Sequence, residues 1–233
     1  MANLEHYKEQ AAEHALAEVQ SGMVLGLGSG STARYLVLGL AARLHDGRLR
    51  DIVGVPTSDA TAELARQHGV AVTTLDMQPA LDLAMDGADE IDPHLNLIKG
   101  LGGALLREKI VACSARRFVI VADDTKIVTQ LGERAPLPVE IVPFGQVLVE
   151  RRLRELGAEP VLRQTSPGTP YLTDQGNIIL DCRFASFVEP ATLGVAVRAI
   201  PGVVEHGLFI NMAAAAYVAG AQGVAIITRP ATT

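Results

Sequence analysis

Short apolar runs that alternate with longer amphipathic ones constrain this chain most. Residues 23–27, 52–55, 70–75, 81–85 and 118–122 are apolar stretches of strand length. The first stretch with helical spacing is 4–19, where Leu4, Tyr7, Ala11, Ala15 and Val19 share one side until Ser21 and Gly22 end it. Further helices are predicted over 33–44, from the cap Ser58 to His68, and over 104–115. Strands alternating with helices build βαβ units and therefore a mainly parallel sheet. The hydrophobic share, 48%, suits a sheet buried on both faces and argues against disorder. Ligands of such sheets sit at the carboxyl ends of the strands. Three polar loops follow strands here, at 28–32, 86–92 and 123–126, and that coincidence joins them into one expected site.

The rhythm changes near the run E-R-A-P-L-P at 133–138. A strand (139–144), a helix (146–156) and a strand (160–163) follow. A loop with Pro167, Gly168 and Pro170 leads to a hairpin turning at 174–177, whose second strand is 178–182. A helix over 190–199, opened by Pro190 after Glu189, and a strand over 203–209 complete the group. That βαββαβ order matches a small ferredoxin-like unit. The chain then returns through 212–219, where the alanines at 213–216 read as a packed helix, to a strand over 224–228. The expected fold is α/β, a Rossmann-like, mainly parallel sheet (1–131 plus 207–233) with a smaller ferredoxin-like α+β domain (132–206). With 233 residues the chain is long enough for both cores.

The formal net charge of −6 argues against a non-specific nucleic-acid binder, which needs a basic surface. The N-terminal ten residues are polar and do not read as a secretory signal. No apolar run approaches the roughly 20 residues that span a bilayer. Cys113 and Cys182 form no C-x-x-C pair, which suits a reducing, cytoplasmic setting. The histidines show no ligand spacing that asks for zinc.

The stretch 86–109 holds an unusual density of acid, base and glycine. In 26–32, G-L-G-S-G-S-T follows a strand and opens a helix, whose unpaired N–H groups suit a phosphate. Gly30 lets an anion approach, and Ser29, Ser31 and Thr32 add hydroxyls. The alternative is a tight turn with a serine cap. A dinucleotide fingerprint would have glycine at Ser31 and a Walker loop a lysine before Ser31 or Thr32, so a phosphomonoester fits better. Asp86, Gly87, Ala88 and Asp89 follow an apolar strand, so the two carboxylates can meet sugar hydroxyls. A capped turn, with Asp89 and Glu90 solvated, and an oxygen-ligated metal at Asp86, Asp89 and Asp92 are the alternatives; Asp92 and Pro93 read as ordinary turn chemistry. Glu108 lies between Val111 and Ala112 on the helical wheel, on a helix apolar nearly all round and therefore expected to be buried. Desolvation there raises a carboxyl pKa and favours a base; a salt bridge is the competing explanation, and Arg107 on another side needs its own partner. Lys99 either pairs with an aspartate or donates to a substrate oxygen, and the turn of Gly100, Leu101, Gly102 and Gly103 offers N–H groups to an oxyanion. Lys126 is either a surface lysine or an anion contact.

With these residues assembled, the chain closely resembles the type A ribose-5-phosphate isomerases. The resemblance rests on G-x-G-S-G-S-T-A (26–33), D-G-A-D-E-I-D (86–92), K-G-x-G-G-A-L-L-R-E-K (99–109) and A-D-D-T-K (122–126). It continues in V-E-I-V-P-F (139–144), G-N-I-I-L-D (176–181) and I-P-G-V-V-E-H-G-L-F (200–209), and so covers essentially the whole chain. It implies conversion of ribose 5-phosphate to ribulose 5-phosphate in the pentose phosphate pathway, without metal or organic cofactor, by a dimer or tetramer. It further implies Glu108 as base, Asp86 and Lys99 in ring opening and proton exchange, and Asp89 in the same loop. Ser29, Gly30, Ser31, Thr32, Lys126 and Lys8 match substrate and phosphate contacts. Leu101 departs from members with glycine there, a change that keeps the backbone N–H. A sugar-phosphate deaminase or lactonase and a phosphosugar-sensing regulator domain are the rivals that share the scaffold; the sensor would need a fused DNA-binding helix pair and would not need Glu108 and Lys99 together.

Overall fold

The computed structural model describes residues 4–185 and 189–229. The first three residues of the polar N-terminal stretch therefore lie outside the described residues. The chain opens with α1 (Leu4–Ala15), β1 (Val24–Leu27), α2 (Gly30–His45), β2 (Val53–Pro56), α3 (Asp59–Gln67), β3 (Ala71–Val72) and β4 (Leu83–Asp86). The hairpin β5 (Glu90–Ile91) and β6 (Leu97–Ile98) precedes α4 (Leu105–Ser114) and β7 (Phe118–Asp123). Next come β8 (Leu137–Ile141), α5 (Gln146–Glu155), β9 (Ala158–Leu162), β10 (Gln164–Ser166) and β11 (Thr169–Pro170). The chain continues with β12 (Ile178–Phe184), α6 (Pro190–Arg198), β13 (Val203–His206), β14 (Leu208–Phe209), β15 (Ala215–Gly220) and β16 (Gly223–Thr228).

Two compact units result. The first holds the described residues up to Ala88, Arg107–Lys126 and those from Asn211 onward. Its sheet runs β16-β15-β7-β4-β1-β2-β3, parallel except for the edge strand β16. Chain order thus reverses between β1 and β4, the switch point of a doubly wound sheet. The helices α1, α2 and α3 follow the expected pattern, and Ser58 caps α3 by accepting from Thr61 N–H at 3.1 Å.

The alanine run is a correction. Residues 215–220 form β15, not a helix, paired with β7 on one side and β16 on the other. Alanine's helix propensity is a weak preference that tertiary pairing overrides. Small side chains are what this strand needs, because Ala215 and Ala219 share a core with Ala11, Ala12 and Ala15 of α1.

The second unit, Asp89–Leu106 and Ile127–Ile210, has the sheet order β13-β8-β12-β9, all antiparallel. That is the ferredoxin-like arrangement the βαββαβ order predicts. Along β8 the pleat sends Leu137, Val139 and Ile141 into a core with Val149, Leu153 and Val197, and Glu140 to the other face. Asp89–Leu106, assigned by sequence to the first domain, groups here because β6 pairs with β14 as well as with β5. The strand expected over 203–209 accordingly breaks at Gly207. A Cβ on Gly207 would lie 2.2 Å from the Lys99 carbonyl oxygen, so only glycine lets the chain pass there.

Candidate active site

In the first unit, β1 and β4 deliver two loops to the switch point. Gly28 N–H donates to Met85 O at 2.9 Å, and Ser29 N–H donates to Asp86 Oδ1 at 3.0 Å. Gly87 N–H donates to the same oxygen at 2.7 Å. Asp86 is 2% exposed, and a Cβ on Gly28 would lie 2.2 Å from its Oδ1. Glycine at 28 is therefore what allows the carboxylate to come up against the turn.

The serine-cap alternative for 28–32 does not hold. Ser29 stands at the N-cap of α2 without a side-chain capping bond. Its hydroxyl instead meets Thr57 Oγ1 and Ser58 Oγ, each at 2.7 Å, and Thr61 Oγ1 at 3.2 Å. Ser29 is half-buried, Gly30 and Ser31 are exposed and Thr32 is buried. Gly30 takes φ +90° as the first residue of α2, a conformation that favours glycine. Thr57 and Ser58 were not expected beside Ser29. The signal was available: they end β2 just as 28–32 ends β1.

Glu108 lies on the first turn of α4 and is 6% exposed. The helix is less uniformly buried than its composition predicts. Leu105, Val111 and Ala112 share the buried side with Glu108, whereas Ile110 and Cys113 are exposed. Val111 fits against β1 only because residue 26 is glycine, where a Cβ would lie 2.5 Å from Val111 Cγ1. Arg107 finds its partner in Asp59 at 2.6 Å. Lys126 is half-buried in a short 3-10 turn after β7. Lys8 pairs with Glu5 of its own helix at 2.6 Å.

In the second unit, Lys99 follows β6, is 2% exposed and holds its ammonium 5.6 Å from the centre of the Phe209 ring. Its N–H donates to Gly207 O at 2.9 Å. The turn after it begins at Gly100 with φ +103° and ends at Gly103 with φ +85°. Leu101 N–H donates to Asp89 Oδ2 at 2.9 Å, and Gly103 N–H to Gly100 O at 3.0 Å. Asp89 thus holds the glycine turn, and Ala88 precedes it in the half-buried run 87–89.

One alternative for this loop fails, and the turn expected at Asp92 and Pro93 is present. Glu90 is not solvated; it is 1% exposed and accepts from Gly132, Arg134 and Ala135 N–H at 2.6 to 2.7 Å. Asp92 shapes the β5–β6 turn, accepting from His94 and Asn96 N–H at 2.8 Å each. No group of three metal-ligating side chains occurs among the described residues, and no described helix is long and apolar enough to cross a membrane.

A doubly wound sheet with a carboxylate held against a glycine turn at its switch point, together with a ferredoxin-like unit, defines a Rossmann-like α/β protein of the kind that binds ligands at that point. Residues 53–223 match the family model of ribose 5-phosphate isomerase A (phosphoriboisomerase A). The ribose-5-phosphate isomerase A of Roseiflexus sp. (strain RS-1) is 59% identical over 224 residues, 96% of each chain. A solved ribose 5-phosphate isomerase A from Methanocaldococcus jannaschii is 38% identical, with TM-score 0.92 over 97% of this chain and 99% of that one. A D-ribose-5-phosphate isomerase solved in complex with phospho-erythronic acid is also 38% identical, with TM-score 0.95 over 97% and 100%. The chain belongs to the ribose 5-phosphate isomerase A family. It is an isomerase of ribose 5-phosphate.

Proposed function

We propose that the chain interconverts D-ribose 5-phosphate and D-ribulose 5-phosphate through an enediolate, with Glu108 as the general base. The Glu108 carboxylate takes the C2 proton of the open-chain aldose. The C2–H electron pair forms the C1–C2 double bond, and the carbonyl pair moves to O1. Asp86 and Lys99 assist ring opening and pass the O2 proton to O1, with Asp89, from the same loop as Asp86, holding the glycine turn that follows Lys99. Re-forming the carbonyl at C2 drives C1 to take the proton back from Glu108. The phosphate is assigned to Ser29, Gly30, Ser31 and Thr32 with Lys126, and Lys8 completes the charge. Of the turn's four N–H groups, those of Leu101 and Gly103 already serve Asp89 and Gly100; of the remaining two, the oxyanion is assigned to Gly102 N–H.

The observation that carries this reading is the carboxylate of Asp86 held against the 28–32 turn at the switch point. Phospho-erythronic acid, bound by a related isomerase, supports it: a carboxylate at the end of a phosphorylated chain resembles the paired oxygens of an enediolate. The reaction belongs to the non-oxidative pentose phosphate pathway, in the cytoplasm, and the working form is a homodimer or homotetramer. The assay couples ribulose 5-phosphate formation to deuterium uptake from solvent. Deuterium at C1 or C2 of the recovered sugars is expected; turnover with no uptake at either carbon, even at low conversion, would favour direct hydride transfer instead. Light scattering reads the assembly, and a monomer at assay concentration would remove that part.

A further inference from the structure

The glycine turn after Lys99 is gripped from its carbonyl side by a residue that none of the mechanism so far uses. Arg163, between β9 and β10, has its side chain 13% exposed. Its Nη1 donates to Gly100 O at 2.9 Å and to Leu101 O at 3.0 Å. The other edge of the guanidinium forms a two-point pair with Asp181 of β12, with Nε to Oδ2 at 2.9 Å. Tyr171 lies against the same group, its ring centre 5.8 Å from the guanidinium carbon and its hydroxyl 3.4 Å from Gly102 O. A Cβ on Gly103 would meet that hydroxyl at 2.2 Å, so the ring packs directly against the turn and leaves no space for a side chain there.

Peptide planarity gives this grip a consequence. In a trans peptide the C=O and the following N–H point in opposite directions. Carbonyls of Gly100 and Leu101 aimed at Arg163 therefore aim the N–H groups of Leu101 and Gly102 the other way. The Leu101 N–H does point to Asp89 on that side. Two successive N–H groups facing one way form a small anion-receiving concavity, and a cation on the carbonyl side strengthens both as donors.

We propose that Arg163, anchored by Asp181 and Tyr171, is a positioning residue for the isomerisation. It fixes the turn of residues 100–103 so that Gly102 N–H meets the developing oxyanion and Lys99 is held in register. This rests on the proposed participation of Lys99 and its turn in the reaction. The geometry lies wholly inside the second unit, in residues far apart in sequence, which is why no local motif announces it.

The test compares Arg163→Lys, Arg163→Met, Lys99→Met and Arg43→Met in the full chain, reading kcat, KM and thermal midpoint. Arg43, whose side chain is about as covered as that of Arg163, pairs with the more exposed Glu13 in the first unit and serves as the structural control. Lysine keeps charge for Asp181 but its single ammonium cannot span two carbonyls and a two-point carboxylate. The expected result is a kcat loss of about 10- to 100-fold in both Arg163 variants with KM changed less than about threefold, since displacing a positioned donor costs on that order. Added guanidinium ion should restore part of the Arg163→Met kcat. Arg43→Met should lower the midpoint alone. A kcat within twofold of the parent in folded Arg163→Lys, with Lys99→Met inactive, overturns the positioning role and leaves the Lys99 reading intact. Undiminished kcat in Lys99→Met overturns that reading and this inference with it.

Discussion

The two units bury carboxylates for opposite ends. In the antiparallel unit, Glu90 is almost wholly covered, yet three backbone N–H groups claim it. Glu140 is fully covered too, and Thr173 Oγ1 and Asn177 Nδ2 donate to its Oε1 at 3.0 and 2.8 Å. These side chains fasten loops that have no ladder of their own. In the parallel unit, Asp86 is covered at a strand's carboxyl end, where the sheet's own topology opens a crevice, and it is tied to a turn rich in N–H and hydroxyl groups. Burial alone therefore does not mark a reacting carboxylate. What sets Asp86 apart is its place at the switch point of a parallel sheet, where ligands of such folds bind, and that is why the proposed function gives it a reacting role.

The largest expected effect concerns the other covered acid of the parallel unit, Glu108. Glu108→Gln should bind substrate with little change and lose about 10²- to 10⁴-fold in kcat, the range for a positioned general base. Near-normal turnover would take Glu108 out of the mechanism and erase the contrast. Glu90→Leu should do the reverse. It leaves buried N–H groups without their acceptor, at a cost of about 3 kcal/mol or more in unfolding free energy, with kcat per folded molecule preserved. Denaturant titration beside an activity assay on the same sample separates the two.

Gly28→Ala should mix both effects. The added methyl meets the covered Asp86 carboxylate, so about 1–3 kcal/mol of stability and most of the activity should go together. A variant with normal kcat would show that the Asp86–turn contact is dispensable. A smaller effect concerns Glu140, whose carboxyl burial pushes up, with Asn177 and Thr173 pulling the other way. A folded-state value above the unfolded one means the folded form holds the proton longer. Stability from this group is then full below the ordinary carboxylate range and falls as pH rises through the raised value. Denaturation series across mildly acidic to neutral pH should show this slope flattened in Glu140→Gln; an unchanged slope would assign it to other groups. The smallest effect expected is none: activity should persist in chelator. Loss there, restored by a divalent ion, would overturn the metal-free reading.

Legibility from the sequence followed how local each cause was. The strand–helix alternation, the Ser58 cap and the βαββαβ order rest on periodicity and short-range chemistry, and all are present in the structure. Arg107 was seen to need a partner, but Asp59 could not be named because it comes from another helix. The alanine run misled because propensity speaks for an isolated segment, whereas residues 215–220 are fixed by strands on both sides. The β5–β6 hairpin and the break at Gly207 were missed for the same reason, since two-residue strands carry no period to read.

By itself, then, the sequence determined the two kinds of sheet, the loops at the carboxyl ends of β1 and β4, and the family, through motifs spread along the chain. Tertiary structure alone decided that Ser29 joins Thr57, Ser58 and Thr61, that Asp89 holds Leu101 N–H, and that Arg163 grips the turn after Lys99. Each of those is a directed hydrogen bond between residues brought together by strand order. Hydrogen bonds depend on distance and angle, which hydrophobic patterning does not specify.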